Sequence, residues 1–193
     1  QALEQSAGRG LDRLAPYLDL VAIAIGADVV SVAGENRILA FHGVEQIKQN
    51  PRPGLKALLG NKPVRDAHLS DFNFSIAPKI NAAGRIKHGE YAVALLTTIE
   101  DEKARELAQE IEAFNRERRS TEQQVTEEAL KLAEAEADCA STVVRAPHWH
   151  KGVIGIVASR LQATYYRPTL VFTQSGTQWA ASARSVKGYD VHA

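Results

Sequence analysis

The sequence predicts an α/β protein, and three observations carry that prediction. From about Asp101 to Ala137 the chain has no Gly or Pro and is rich in Glu, Ala, Arg, Gln and Leu, the composition of a long helix. After it the pattern alternates strand, helix, strand, strand, at lengths that suit α/β structure. Before it, apolar segments punctuated by Gly and Pro read as a series of shorter helices.

Each element has its own warrant. Leu18 to Val30 is apolar on nearly every side, so periodicity does not separate a buried helix from a buried strand; its Ala and Leu content favours a helix ending near Gly26. Asn36 to Lys48 reads as a helix, and Pro51-Arg52-Pro53-Gly54 is a loop that launches a short helix from Leu55 to Leu59. Phe72 to Asn81 holds a short helix and a turn, and Tyr91 to Thr98 is a further apolar helix. In the long helix, Leu107, Ile111, Phe114, Arg118, Thr121, Val125 and Leu132 fall near one stripe at spacings of three, four and seven. A helix of that length spans roughly 55 Å, which suits a rod joining two domains. Thr142 to Arg145 reads as a strand, Gly152 to about Tyr165 as a helix, Pro168 to Thr173 and Trp179 to Arg184 as strands. No internal repeat or low-complexity segment is present.

Composition bounds the function without naming it. The 193 residues are 45% hydrophobic and 24% charged, enough for a core. Lys plus Arg equals Asp plus Glu at 23 each, so any basic surface is local. One cysteine, Cys139, excludes an intrachain disulfide framework and fits a reducing cytoplasm. No run reaches the length of a membrane span and no leader is evident at Gln1, so a membrane partner is not expected. The chain has no methionine, and with its stop just after a strand it is expected to be part of a longer parent.

The chemistry concentrates near the end. Pro147-His148-Trp149-His150-Lys151-Gly152-Val153-Ile154-Gly155 runs into an amphipathic helix, and Ser182, Arg184 and Lys187 follow on or after a later strand. Helix N-termini and glycine-flanked amides favour anions, and arginine forks match phosphate oxygens. Ser182 and Arg184 alternate with Ala183 and so share one face of the strand. If that face meets the helix start, a pocket for a phosphate ester follows. His150 reads as a base, a ligand or a phosphate donor, or as a structural histidine beside Trp149; Trp149 and Tyr166 read as core or as stacking surfaces. Asp28 is read as the conspicuous acid of its apolar stretch, either capping the next turn or binding a metal; one carboxylate alone does not hold Mg2+ or Mn2+. Pro78 to Arg85 reads as a turn whose small residues permit close approach, with Arg85 on a base or phosphate or simply solvated.

Taken in order, Leu18 to Ala22, Ala27 to Val30, Asn36 to Leu39, Pro53 to Leu58, Pro78 to Arg85, Trp149 to Arg160 and Ser182 to Ser185 closely resemble the RecJ type of single-stranded-DNA-specific 5′ to 3′ exonuclease, in the Asp-His-His phosphoesterase superfamily. The resemblance implies that residues 1–100 end a catalytic domain, 101–137 form the connecting helix and 138–193 begin a second, substrate-phosphate-binding domain. It implies Mn2+ or Mg2+ as cofactor, with Asp28 a metal ligand and catalytic residue and His150 a second catalytic residue facing the cleft. It further implies that Asn81, Arg85 and Arg160 contact substrate and that Ser182 and Arg184 recognise a 5′ phosphate. The implied partners are single-stranded DNA with a 5′ end, a single-strand-binding protein and a helicase. The family's aspartate pair, its Asp-His-His triplet and its oligonucleotide-binding domain have no counterpart here, so the segment alone is expected to be nearly inert. The alternatives are a phosphodiesterase for short oligonucleotides or cyclic dinucleotides, and a non-catalytic strand-binding module.

Overall fold

The computed structural model describes residues 6, 8, 11–28, 30–135 and 139–191. Val29 and 136–138, the end expected for the long helix, lie outside the described residues. The chain divides into two compact units, 1–114 and 115–193. It is α/β, with helices in the first unit and a helix-covered sheet in the second.

In the first unit a 3-10 helix, Leu11–Tyr17, leads into α1 (Leu18–Ala27), followed by α2 (Glu35–Gln49), α3 (Pro53–Leu59), α4 (Ala77–Ile86) and α5 (Glu90–Thr97). Their shared core includes Ala22, Ile23, Ile47, Leu55, Leu58, Phe72, Ile76 and Leu95. Two glycines set how closely these helices approach. A Cβ on Gly43 of α2 would stand 2.1 Å from the Leu18 carbonyl oxygen, and one on Gly54 of α3 would stand 2.1 Å from that of Leu95. Both contacts are backbone against backbone, so no side chain can give way.

Two expectations for this unit need correction. Pro78 to Arg85 is not a turn: it lies inside α4, with Pro78 in the first turn, where its missing N–H costs nothing. A helical turn, Leu69–Asp71, and a π-helical turn, Phe72–Ile76, run into α4. The acid that the apolar stretch buries is Asp19, 1% exposed, and not Asp28. Arg52 donates from Nε to Asp19 Oδ2 at 2.5 Å and from Nη2 to the Pro16 carbonyl at 3.0 Å. Asp19 Oδ1 accepts the Leu20 N–H at 2.8 Å. The pairing that a buried carboxylate demands is therefore met by an arginine two helices away.

The long helix α6 (Asp101–Glu134) runs from the first unit into the second. Its buried seam includes the expected Ile111 and Val125, with Leu107 and Phe114 packed beside it, but not Leu132. Ala104, Ala108 and Ile111 pack in the first core, and Val125, Ala129 and Ala133 in the second. Alanines form most of this seam because they let neighbouring elements come close, whereas Leu132 is 46% exposed.

In the second unit β1 (Thr142–Arg145), α7 (Ile154–Tyr165) and β2 (Thr169–Ser175) make a parallel crossover, and β3 (Gln178–Arg184) returns antiparallel to β2. The sheet order is β1-β2-β3. Val144 pairs with Val171, and Val171 with Ser182. Cα partners share a face, so Ser182 and Arg184 stand on the same side as buried Val144 and Val171, the side packed by α7. Ile154, Val157, Ala158 and Leu161 of α7 are buried at the i, i+3, i+4, i+7 spacing of an amphipathic helix. Among the described residues no helix is long and apolar enough to cross a membrane.

Because Gly43 meets backbone, Gly43→Ala should lower unfolding stability by about 3 kcal/mol, the upper end of ordinary overpacking. Gly84→Ala, where no atom lies within 4 Å of the added Cβ, should be neutral or raise stability by roughly 0.5–1 kcal/mol. Chemical denaturation of both variants checks the pair; equal effects would contradict the packing described.

Candidate phosphate-binding site

The apolar face of α7 fixes what its other side presents. Gly155 and Ser159, four residues apart, lie on one face, and that face meets β3. Arg184 donates from Nε to Ser159 Oγ at 2.9 Å, and from Nη1 to Ser182 Oγ at 3.2 Å and to the Ala183 carbonyl at 2.7 Å. Ser159 in turn donates to the Gly155 carbonyl at 3.1 Å. A Cβ on Gly155 would stand 3.3 Å from Ser182 Oγ and 3.4 Å from Arg184 Nη2. Glycine thus leaves room for the serine and the guanidinium to lie against the first turn of the helix.

The arrangement is chemically coherent. No side chain caps α7, whose first turn therefore keeps its partial positive charge. Arg184 is exposed and Ser182 half-buried, so a planar cation, two hydroxyls and a helix start open toward solvent together. An anion with several oxygens is the ligand that fits.

The remaining candidates stand as follows. Arg160 follows Ser159 on α7, but its Nη2 pairs with Glu122 of α6, away from the Arg184 cluster. His150 is exposed, and its Nδ1 accepts the Gly152 N–H at 3.0 Å, which leaves Nε2 outward. Trp149 is core, 3% exposed. Tyr166 is exposed and caps α7 in the left-handed region, φ 47°. Asn81 and Arg85 are exposed one turn apart on α4. Asp28 is exposed at the C-cap of α1, where its N–H donates to the Ala24 carbonyl at 3.0 Å. Among the described residues no three His, Cys, Asp or Glu converge. A divalent cation of this kind takes about six oxygen ligands, so the described residues do not by themselves fit one. Ser159 is the residue that sequence reasoning missed; its position four residues after Gly155, on the face opposite the apolar stripe, is the signal that would have found it.

Glu128 of α6 anchors the loop before α7. Its Oε2 accepts from Trp149 Nε1 at 2.9 Å and pairs with His148 Nε2 at 2.8 Å. Those two hydrogen bonds, Trp149's first, hold the Glu128 carboxyl below its usual range.

Comparison with known proteins shows what the chain resembles. No protein-family model matches the chain. The single-stranded-DNA-specific exonuclease RecJ of Escherichia coli K12 is 38% identical over 187 residues, 92% of this chain and 32% of that protein. RecJ of Bacillus subtilis 168 is 38% identical over 179 residues, 90% of this chain and 23% of that protein. The crystal structure of Thermus thermophilus RecJ in complex with Mg2+ superposes with a TM-score of 0.85 at 31% identity, over 99% of this chain and 30% of that one. In sequence and fold the chain resembles one segment of RecJ. A crystal structure of exonuclease RecJ bound to manganese matches with a TM-score of 0.82 at 30% identity, over 99% of this chain and 47% of that one. The chain spans about a third of the length of the E. coli relative.

A depressed folded-state pKa contributes stability that is present above the unfolded value and lost as pH falls through the folded one. The stability gap between this chain and its Glu128→Gln variant should therefore be full near pH 7 and shrink as pH falls through and below the ordinary glutamate range. Denaturation curves across that range, read by tryptophan fluorescence, check this; a gap that widens on acidification would contradict the assignment.

Proposed function

We propose that this segment belongs to a metal-dependent exonuclease specific for single-stranded DNA, and that its second unit binds the strand's 5′ phosphate. The observation that carries the proposal is the cluster of Gly155, Ser159, Ser182 and Arg184. A terminal phosphate monoester offers three free oxygens and up to two charges, whereas an internal diester offers two oxygens and one charge. A guanidinium, two hydroxyls and an uncapped helix start match the terminal group better. That choice sets polarity, because a protein that grips the 5′ end presents the first bond after it for cleavage. The likeness to RecJ exonucleases supports the same reading.

In this reading residues 1–100 close the catalytic domain, 101–137 connect and 138–193 open the substrate domain. Asn81 and Arg85 share an exposed face of α4 and hold the sugar-phosphate strand, as an arginine with a neighbouring amide suits a polyanion. Exposed His150, one ring nitrogen fixed by the Gly152 N–H, is set to hold or move a proton at Nε2. Asp28 offers one carboxylate to Mn2+ or Mg2+, the remaining ligands coming from elsewhere in the parent. When bound, such an ion lowers the pKa of water and neutralises phosphoryl charge. A helicase that supplies single strands and a protein that keeps them open are the natural partners, in the cytoplasm, where the exposed Cys139 stays reduced.

In the full-length parent, Mn2+-dependent release of nucleotides from single-stranded DNA should start at the 5′ end. Arg184→Ala should cut the preference for 5′-phosphorylated over 5′-hydroxyl ends by about tenfold or more, the loss of a charge-assisted contact. Asp28→Ala should abolish release from both. Cleavage of dinucleotides but not of long strands, or strand binding without cleavage, would contradict the proposal.

A further inference from the structure

Glu122 is the most deeply buried charged side chain of the second unit's ion pairs, its side chain 4% exposed. It is held from both sides. Arg118, one turn before it on α6, donates from Nη1 to Oε2 at 2.5 Å and from Nη2 to Asn115 Oδ1 at 2.8 Å. Arg160 of α7 pairs through Nη2 with Oε1. Buried ion pairs are matched or bettered by apolar residues of similar volume, and Arg118 Nε is buried with no hydrogen-bond partner.

What the bridge does uniquely is fix an angle. The contacts of Ile154, Val157, Ala158 and Leu161 with the core are apolar and so non-directional. They hold α7 down but resist rotation about its own axis only weakly. Arg160 adds a directional tether to α6, and Ser159, the preceding residue, carries the hydroxyl that receives Arg184 Nε. With Cα atoms about 2.3 Å from the axis and a hydroxyl about 3.5 Å out, a rotation of roughly 20° moves Ser159 Oγ by about 1.2 Å. That displacement is enough to break the 2.9 Å bond to Arg184.

We propose that Glu122 is a positioning residue for phosphate recognition: through Arg160 it sets the rotation of α7 and so aims Ser159 at Arg184. The inference rests on the reading of the Arg184 cluster as the site for a 5′ phosphate. It gives the carboxylate a role that neither the apolar core nor the cluster supplies for itself.

The test uses the full-length parent, with 5′-phosphorylated and 5′-hydroxyl single strands as substrates and kcat and KM measured separately. Glu122→Gln should raise KM for the phosphorylated strand about tenfold, the loss of one charge-assisted contact. It should leave kcat and the KM of the hydroxyl strand within about twofold of wild type, and Glu122→Asp should restore part of the difference. Arg160→Met, which keeps the Arg118–Glu122 pair, should give the same selective rise and decides the matter if Glu122→Gln does not fold. If Arg184→Ala in parallel leaves end discrimination intact, the phosphate site itself is misassigned. If Arg184→Ala removes discrimination while Glu122→Gln and Arg160→Met preserve it, or change both strands' KM alike, the positioning role is overturned.

Discussion

Gly155 has no side chain because Ser182 and Arg184 need the space one would take. That constraint ties together most of what the second unit presents. The parallel β1-α7-β2 crossover lays α7 along the sheet face that carries Val144, Val171 and Ser182. A glycine in the first turn leaves room for β3 to bring a guanidinium against that helix. A methyl group at 3.3 Å from Ser182 Oγ and 3.4 Å from Arg184 Nη2 would crowd both side-chain ends, which would have to give by a few tenths of an ångström. The first unit uses the same device twice, at Gly43 and Gly54, where the contact is with backbone carbonyls and the tolerance is smaller still.

The polar network around this contact is built outward in shells. Arg184 meets Ser159, Ser182 and its neighbour's carbonyl; Ser159 adjoins Arg160; Arg160 meets Glu122; Glu122 meets Arg118, which also holds Asn115. Glu128 fixes the loop that enters α7 through Trp149 and His148. Both carboxylates belong to α6, so one helix orients the start of α7 and its second turn. Apolar burial supplies the adhesion and the charged groups supply the direction. That division is common where a site needs geometry more than stability.

Much of this was legible in the sequence. The strand Thr142–Arg145 and the ends of β3 and α7 were readable because Gly and Pro punctuate them and their periods are clean. That Ser182 and Arg184 share one face followed from the two-residue period of a strand; their meeting with the glycine-led helix was a condition in the sequence that the structure meets. Pro78 to Arg85 misled because two alanines, a glycine and a proline look like a turn, whereas tertiary packing of Ala82 and Ala83, both 0% exposed, keeps them helical. The seam of α6 was read only in part: Ile111 and Val125 were found, its alanines were not. Alanine carries little hydrophobic weight in a pattern, yet Ala104, Ala129 and Ala133 are all 0% exposed, because close approach, not bulk, is what the seam needs. Asp19 and Glu122 were not legible as buried acids. Their partners, Arg52 and Arg160, lie on other elements, and no local pattern encodes such pairs.

The central claim is that the α7–β3 cluster reads a terminal phosphate. Equilibrium binding by the full-length parent, with divalent cations chelated so that no strand is cut, tests it most directly. The account predicts that a short single strand with a 5′ phosphate binds about tenfold more tightly than the same strand with a 5′ hydroxyl, a difference of about 1.4 kcal/mol, and that inorganic phosphate competes it away. Equal affinity for the two ends would contradict it.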